Sequence, residues 1–303
     1  MEQSLISVAL CTYNGELFLA QQLQSIIEQT YQNLEIIIVD DASTDGTLDI
    51  IKTYAEKDER IKWFQNNTNK GLNKNFERAL RFCSGQYISL SDQDDIWEPQ
   101  KIQRLADSIG DNWVVFSNSA LVNADGKPIG RNLLNSFSYD DKDYRGIVLM
   151  NFVTGHTCLI ARDFLSQALP VPENTLYDWW FGFVALYHHK LVYLDEILTQ
   201  YRIHPASYIQ RIVAMPDIER IKWQGHTDHL VAFLNYNEIK LADAVFIHEL
   251  VTGFINKADE DDAPTPFIKL LTQNYQVLFP CEKPREEAEI VEFSTAYASK
   301  VKL

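Results

Sequence analysis

The chain has 303 residues, 46% of them hydrophobic and 12% aromatic, enough to bury one large core or one medium core with an appendage. A formal net charge of -15 works against broad attraction to phosphate backbones or anionic headgroups, so nucleic acid is not an expected partner. Cys11, Cys83, Cys158 and Cys281 form no C-x-x-C pair and read as reduced thiols of a cytoplasmic protein, no basic leader precedes the first apolar run, and no apolar stretch reaches the roughly 20 residues of a membrane span.

Along the chain, apolar β-rich runs alternate with helix-patterned segments, the pattern of a mostly parallel sheet covered by helices. Leu5 to Leu10 reads as a first strand, and Asn14 is placed to cap a helix from Glu16 to Gln29, whose Leu19, Leu23, Ile26 and Ile27 recur at helical spacing. Leu34 to Val39 is a second, largely apolar strand ending in Asp40-Asp41-Ala42-Ser43-Thr44-Asp45-Gly46, with a helix from Thr47 to Ala55 behind it. Ile61 to Gln65 predicts a third strand, Asn66 to Gly71 a loop, Asn75 to Phe82 a helix, and Gln86 to Ser91 a fourth strand that runs into Asp92-Gln93-Asp94-Asp95. Polar and acidic residues thus gather at the carboxyl ends of successive strands, where open α/β sheets bind ligands.

Further on, Trp113 to Gly130 predicts two strands joined by a hairpin at Asp125-Gly126. Asn151 to Arg162 carries a strand behind the loop Thr154-Gly155-His156, Tyr177 to His188 an aromatic-rich helix, and Leu191 to Arg202 the last strand. Beyond His204 the pattern is helical, in Ile218 to Asn235 and Glu238 to Asn256, and it breaks at the acidic, proline-containing Asp259 to Pro266.

The strongest cluster is Asp92-Gln93-Asp94-Asp95. Side chains alternate along a strand, so Asp92 and Asp94 can face the same way, and carboxylates this close repel unless a cation or hydrogen bonds compensate. Hard oxygen ligands suit Mg²⁺ or Mn²⁺ shared with a substrate diphosphate; the other reading is an acidic turn capping a helix from Ile96 to Leu105. Asp40-Asp41 has two readings as well: a cap for the next helix, or a carboxylate that accepts hydrogen bonds from a base or ribose. Tryptophans at a helix start, Trp179 and Trp180, are more often core than sugar platforms, so at least one is expected to be buried.

Taken together, Val8-Ala9-Leu10-Cys11-Thr12-Tyr13-Asn14-Gly15, then Ile38 to Thr47, then Asn69-Lys70-Gly71 and the aspartate cluster closely resemble family 2 glycosyltransferases, over roughly Ser4 to His204. Ser91-Asp92-Gln93-Asp94-Asp95-Ile96-Trp97 with Pro99 and Lys101, Tyr177-Asp178-Trp179-Trp180 and Tyr201-Arg202-Ile203-His204 look like the bacterial rhamnosyltransferase-like branch. The sequence departs from that branch at Tyr177, where a histidine often stands, and at Pro205-Ala206-Ser207, where a glycine and then an asparagine are usual. The resemblance implies an α/β fold of GT-A type, a Rossmann-like and mostly parallel sheet over residues 1–207, followed by a helical C-terminal region over 208–303. It implies an inverting transferase that takes a sugar from dTDP-rhamnose or a UDP-sugar to a saccharide or lipid-linked oligosaccharide acceptor, in the cytoplasm or at the inner membrane face. Peripheral membrane contact and self-association stay open.

By the same resemblance Thr12, Tyr13 and Asn14 line the nucleotide pocket, Asp41 binds the base with Asp40 near it, and Lys70, Asn75 and Asp92 approach ribose or diphosphate. Asp94 carries the metal, Gly155 and His156 border the sugar and acceptor, and Asp178 is the general base. His204 stands either as a metal or diphosphate contact or as a structural hydrogen bond. Two other classes compete: a catalytically silent sugar-nucleotide-binding module, and a nucleotidyltransferase, which needs a Gly-rich basic loop after the first strand that Thr12-Tyr13-Asn14-Gly15 does not provide.

Overall fold

Seven consecutive buried residues, Ile6–Thr12, form β1, and seven more, Leu34–Asp40, form β2 beside it in parallel. Continuously buried runs of this kind belong to strands covered on both faces, which is why no alternation of buried and exposed residues marks them. The structure, a computed structural model, describes residues 3–137, 139–207, 215, 218–259 and 265–299.

The chain divides into two compact units, one made of residues up to Leu134 with Val153–Val171 and His188–His204, the other of Asn135–Phe152, Pro172–Tyr187 and the chain after His204. The first unit holds a nine-stranded sheet. Its strands after β2 are β3 (Ile61–Gln65), β4 (Tyr87–Ser91), β5 (Ile96–Trp97), β6 (Val114–Val122), β7 (Pro128–Asn132), β8 (Cys158–Ala161) and β9 (Leu191–Arg202), in the order β3-β2-β1-β4-β8-β6-β9-β5, with β7 on β6. The β3-β2-β1-β4 half is parallel; β8 runs antiparallel to β4 and β6, while β6 and β9 are parallel. Because β2, β1 and β4 are parallel neighbours, the loops that follow them lie together at one end of the sheet.

Helices α1 (Leu19–Ile27), α2 (Thr47–Ala55), α3 (Leu72–Phe82) and α4 (Lys101–Ile109) flank the sheet. Leu19, Leu23 and Ile26 of α1 lie in one core cluster with Ile36, Ile38, Ile102 and Leu105. The expected helix start at Glu16 is corrected to Leu19. Asn14 has a positive φ of 49° and its Oδ1 accepts from Thr44 N at 2.8 Å, so it serves a turn and not a helix cap. The expected helix from Ile96 is also corrected: Ile96 and Trp97 pair with Gln200 and Thr199 of β9, and the helix begins only at Lys101, after Pro99. The hairpin at Asp125-Gly126 is present. Gly126 has φ 77°, and Asn123 Oδ1 accepts from the Asp125 and Lys127 amides at 3.0 and 2.9 Å.

In the second unit, helix Tyr177–Tyr187 buries both Trp179 and Trp180, so these indoles are core residues and not exposed platforms. Trp179 lies 4.0 Å from the His229 ring and donates Nε1–H to Ile147 O at 2.6 Å; Phe183 stacks on Phe233 at 4.1 Å. Helices Ile218–Leu234, Leu241–Asp259, Thr265–Gln273, Tyr275–Leu278 and Glu287–Ser299 follow. The acidic break expected at Asp259 to Pro266 falls mostly outside the described residues. No described helix is long and apolar enough to cross a membrane.

Candidate nucleotide and metal site

The loops after β1 and β2 are tied to each other through side chains. Thr12 and Asp40 are register partners, and Thr12 Oγ1 donates to Asp40 Oδ1 at 2.9 Å. Asp40 is fully buried, and its Oδ2 accepts from Ser43 N at 2.9 Å. The Asn14 amide donates to Ser43 Oγ at 2.9 Å and the Gly15 amide to Thr47 Oγ1 at 2.8 Å. Tyr13 stands out from this frame, 37% exposed.

Asp41 does not cap the helix that follows. Its Oδ1 accepts from Asn66 Nδ2 at 2.6 Å and Lys70 N at 2.8 Å, and its Oδ2 from Gly71 N at 2.9 Å. Asn75, also buried, accepts from the same Asn66 amide at 2.9 Å and donates to Val39 O at 2.9 Å. Of the predicted nucleotide residues, Asp41, Lys70 and Asn75 are therefore brought together as one loop built on a buried carboxylate. Asp41→Ala strips the acceptor from three donors, so it is expected to lower the unfolding free energy by about 2 kcal/mol or more in urea denaturation. An unchanged midpoint and slope would show that the Lys70-Gly71 loop holds itself.

The acidic loop after β4 is held from β9. Arg202 donates its backbone amide to Asp95 Oδ1 at 3.1 Å and Nε–H to Asp94 O at 2.8 Å; its Nη2 reaches Gln21 Oε1 at 2.6 Å, and its guanidinium lies 4.7 Å from the Phe18 ring. Asp94 Oδ2 and His204 Nε2 are 2.8 Å apart, so the two predicted metal ligands meet directly. Asp92 is partly exposed, whereas Asp95 is fully buried. Burial, then the charges of Asp94 and Asp92, push the Asp95 carboxyl well above its usual range.

His156 sits beneath this loop in the turn Gly155–Thr157. Its Nδ1 is 3.8 Å from Asp92 Oδ2 and 3.9 Å from Asp95 Oδ2, its Nε2 is 2.9 Å from Ser119 Oγ, and its ring stacks on Tyr201 at 4.7 Å. Burial and the nearby Lys101 lower its pKa to about 3, so it is a neutral imidazole. Lys101 was legible in the sequence only as part of a motif. It is fully buried, sits 3.7 Å over the Trp97 ring, donates to His156 O, and has its pKa lowered by burial to about 7.

These residues fit a divalent cation. Asp92, Asp95 and His156 offer ligand atoms within 4.8 Å of one another, and Asp95 Oδ2 is buried with no hydrogen-bond partner among the described residues. Carboxylate and neutral imidazole donors match Mg²⁺ or Mn²⁺ with waters and phosphate oxygens completing the shell. Asp178 belongs to the second unit. It lies in the first turn of Tyr177–Tyr187, where its Oδ1 accepts from Trp179 N at 2.7 Å and Asn151 Nδ2 at 3.1 Å.

A parallel half-sheet with carboxylates at its strand ends, continued by antiparallel strands, is the architecture of GT-A glycosyltransferases, and structural likeness agrees. The crystal structure of Staphylococcus aureus TarS 1-349 in complex with UDP-GlcNAc superposes over 98% of this chain and 89% of its own, with a TM-score of 0.65 at 18% identity. The mannosyltransferase PcManGT of Pyrobaculum calidifontis, in complex with GDP-Man and Mn²⁺, superposes over 98% and 81%, with a TM-score of 0.56 at 16% identity. The chain belongs to glycosyl transferase family 2, whose model matches residues 7–169. Among curated proteins, the provisionally named teichuronic acid biosynthesis glycosyltransferase TuaG of Bacillus subtilis (strain 168) is 33% identical over 66% of this chain and 79% of its own length. The Escherichia coli UDP-Glc:alpha-D-GlcNAc-diphosphoundecaprenol beta-1,3-glucosyltransferase WfaP is 39% identical over 38% of this chain and 45% of its own.

Proposed function

We propose that this glycosyltransferase is metal-dependent and inverting, and that it moves a sugar from a nucleotide diphosphate donor to a saccharide or lipid-linked oligosaccharide acceptor in surface polysaccharide synthesis. The observation that carries the reading is the Asp94–His204 pair at the end of β4, in a loop that also gathers Asp92, Asp95 and neutral His156. Asp94 and His204, with donors from the neighbouring Asp92, Asp95 and His156, would hold Mg²⁺ or Mn²⁺, and the ion when bound would neutralise charge on the leaving nucleoside diphosphate.

The chain's own groups do the rest. Thr12, Tyr13 and Asn14 line the nucleotide; Asp40, locked onto Thr12, fixes their position, and Asp41 receives the base. Lys70, Asn75 and Asp92 approach ribose and diphosphate, Gly155 and His156 border the sugar, and Asp178 accepts the proton of the attacking acceptor hydroxyl. A single displacement then inverts the anomeric carbon. A silent binding module that kept the fold would be expected to lack Asp94 or Asp178, and both are present.

The donor follows from two different supports. Resemblance to the rhamnosyltransferase-like branch favours dTDP-rhamnose, while the uridine nucleotides named for TarS and WfaP favour a UDP-sugar, which we place first. A melting screen with UDP-glucose, UDP-GlcNAc, GDP-mannose and dTDP-rhamnose, each with Mn²⁺, tests this. A ligand that binds only the folded chain raises its melting temperature, and at a hundred times its Kd it stabilises by about 2.7 kcal/mol. A UDP-sugar is expected to give the largest rise. A larger rise with dTDP-rhamnose would reverse the order, and no rise with any would remove the nucleotide-sugar reading.

A further inference from the structure

The side chain between Asp92 and Asp94 has its own attachment. The β1–β4 ladder ends at Leu10↔Ser91, yet β1 continues to Thr12. Past the end of that ladder, the Gln93 side chain takes the place of a neighbouring strand. Its Oε1 accepts from Tyr13 N at 2.8 Å and its Nε2 donates to Tyr13 O at 3.1 Å, so one amide satisfies both backbone groups of one residue. From the other side the loop after β2 holds the same turn, through Asn14 N to Ser43 Oγ at 2.9 Å.

Gly15 explains itself by this contact. It is not among the glycines with positive φ, so its backbone conformation is open to other residues. A Cβ built on it, however, would come within 2.6 Å of Gln93 Cδ and 3.3 Å of Gln93 Cγ. The glycine makes room for the glutamine side chain, and the two positions form one device.

We propose that Gln93 is a positioning residue which, through its paired hydrogen bonds to Tyr13, couples the acidic loop to the nucleotide loop so that cation and nucleotide bind cooperatively. The inference rests on the reading of Asp92–Asp95 as the cation loop and Thr12–Asn14 as the nucleotide loop. Asp92 and Asp94 cannot settle around a cation without fixing Gln93 between them, and Gln93 carries that order to Tyr13.

UDP binding by calorimetry, with Mn²⁺ and in EDTA, tests the coupling in wild type, Gln93→Ala, Gly15→Ala and the double variant. Mn²⁺ is expected to tighten UDP binding to the wild type, and Gln93→Ala to shrink that tightening by about fivefold or more, within the usual range of coupling between two sites. Gly15→Ala should reproduce the loss by displacing the amide. In the double variant the methyl's close contact with the Gln93 amide is gone, so the loss should equal that of Gln93→Ala alone, the non-additivity of two changes to one contact. Gln93→Leu, which keeps the bulk without the hydrogen bonds, gives the same comparison if Gln93→Ala does not fold. Full retention of Mn²⁺-dependent tightening in Gln93→Ala or Gln93→Leu overturns the inference, as does a double variant whose losses multiply. A wild type that binds no UDP with Mn²⁺, nor GDP or dTDP in its place, overturns the nucleotide reading itself and the inference with it.

Discussion

Asp178→Asn is expected to lower transfer by at least about a hundredfold while leaving melting and nucleotide binding near wild type. A positioned general base contributes roughly 10²- to 10⁴-fold to a rate, and an asparagine cannot accept a proton at neutral pH. The other role open to Asp178 is structural, because it lies in the first turn of Tyr177–Tyr187 and accepts from Trp179 N and Asn151 Nδ2. Both of these bonds end on Oδ1, which an asparagine retains. Losing the cap altogether costs about 1 kcal/mol, so Asp178→Ala should fold less stably than Asp178→Asn and be no more active. An Asp178→Asn enzyme at full rate would assign the residue to the helix terminus alone.

The second large effect is expected at Asp94. Asp94→Asn removes the charged partner of His204 and one carboxylate of the acidic loop, and transfer should fall by about two orders of magnitude or more, as when one group that stabilises developing charge is lost. EDTA should abolish wild-type transfer and Mg²⁺ or Mn²⁺ restore it. In Asp94→Asn, raising Mn²⁺ should recover part of the rate if the variant mainly weakens metal affinity. Undiminished activity in chelator would end the metal role of Asp94 and His204.

Much of the parallel half-sheet was legible because its central strands β1 and β2 are largely apolar runs bounded by polar strand ends. Ile61–Gln65, Thr47–Ala55 and Leu191–Arg202 form with the limits their sequence predicts. Local pattern misled where a distant segment decided the structure. Ile96 and Trp97 carry apolar spacing compatible with the following helix, but β9 offers them an edge to pair with, a partner more than a hundred residues away in sequence. Asn14 has the chemistry of a helix cap, yet its side chain is taken by Thr44 from the neighbouring loop.

The site divides the same way. Residue type and strand-end position pointed to Asp40, Asp41, Asp92 and Asp94, each with a capping role as the other reading. What each carboxylate touches was not readable. Asp41 gathers donors from Asn66, Lys70 and Gly71 across a loop, and Asp95 is sealed in with Lys101 and His156 close by. A buried lysine over a tryptophan ring looks, in sequence, like any lysine at a helix start. Gln93 was legible only as the residue between two aspartates; its bond pair to Tyr13 depends on how far β1 outruns β4.

Proton NMR of the anomeric signals during a reaction of nucleotide-sugar donor, Mn²⁺ and lipid-linked oligosaccharide acceptor tests the central claim most directly. Loss of the donor's anomeric signal should be matched by a product signal of opposite anomeric configuration, absent in EDTA. A donor signal that persists although the nucleotide sugar is bound, or a product of retained configuration, would contradict an inverting metal-dependent transferase.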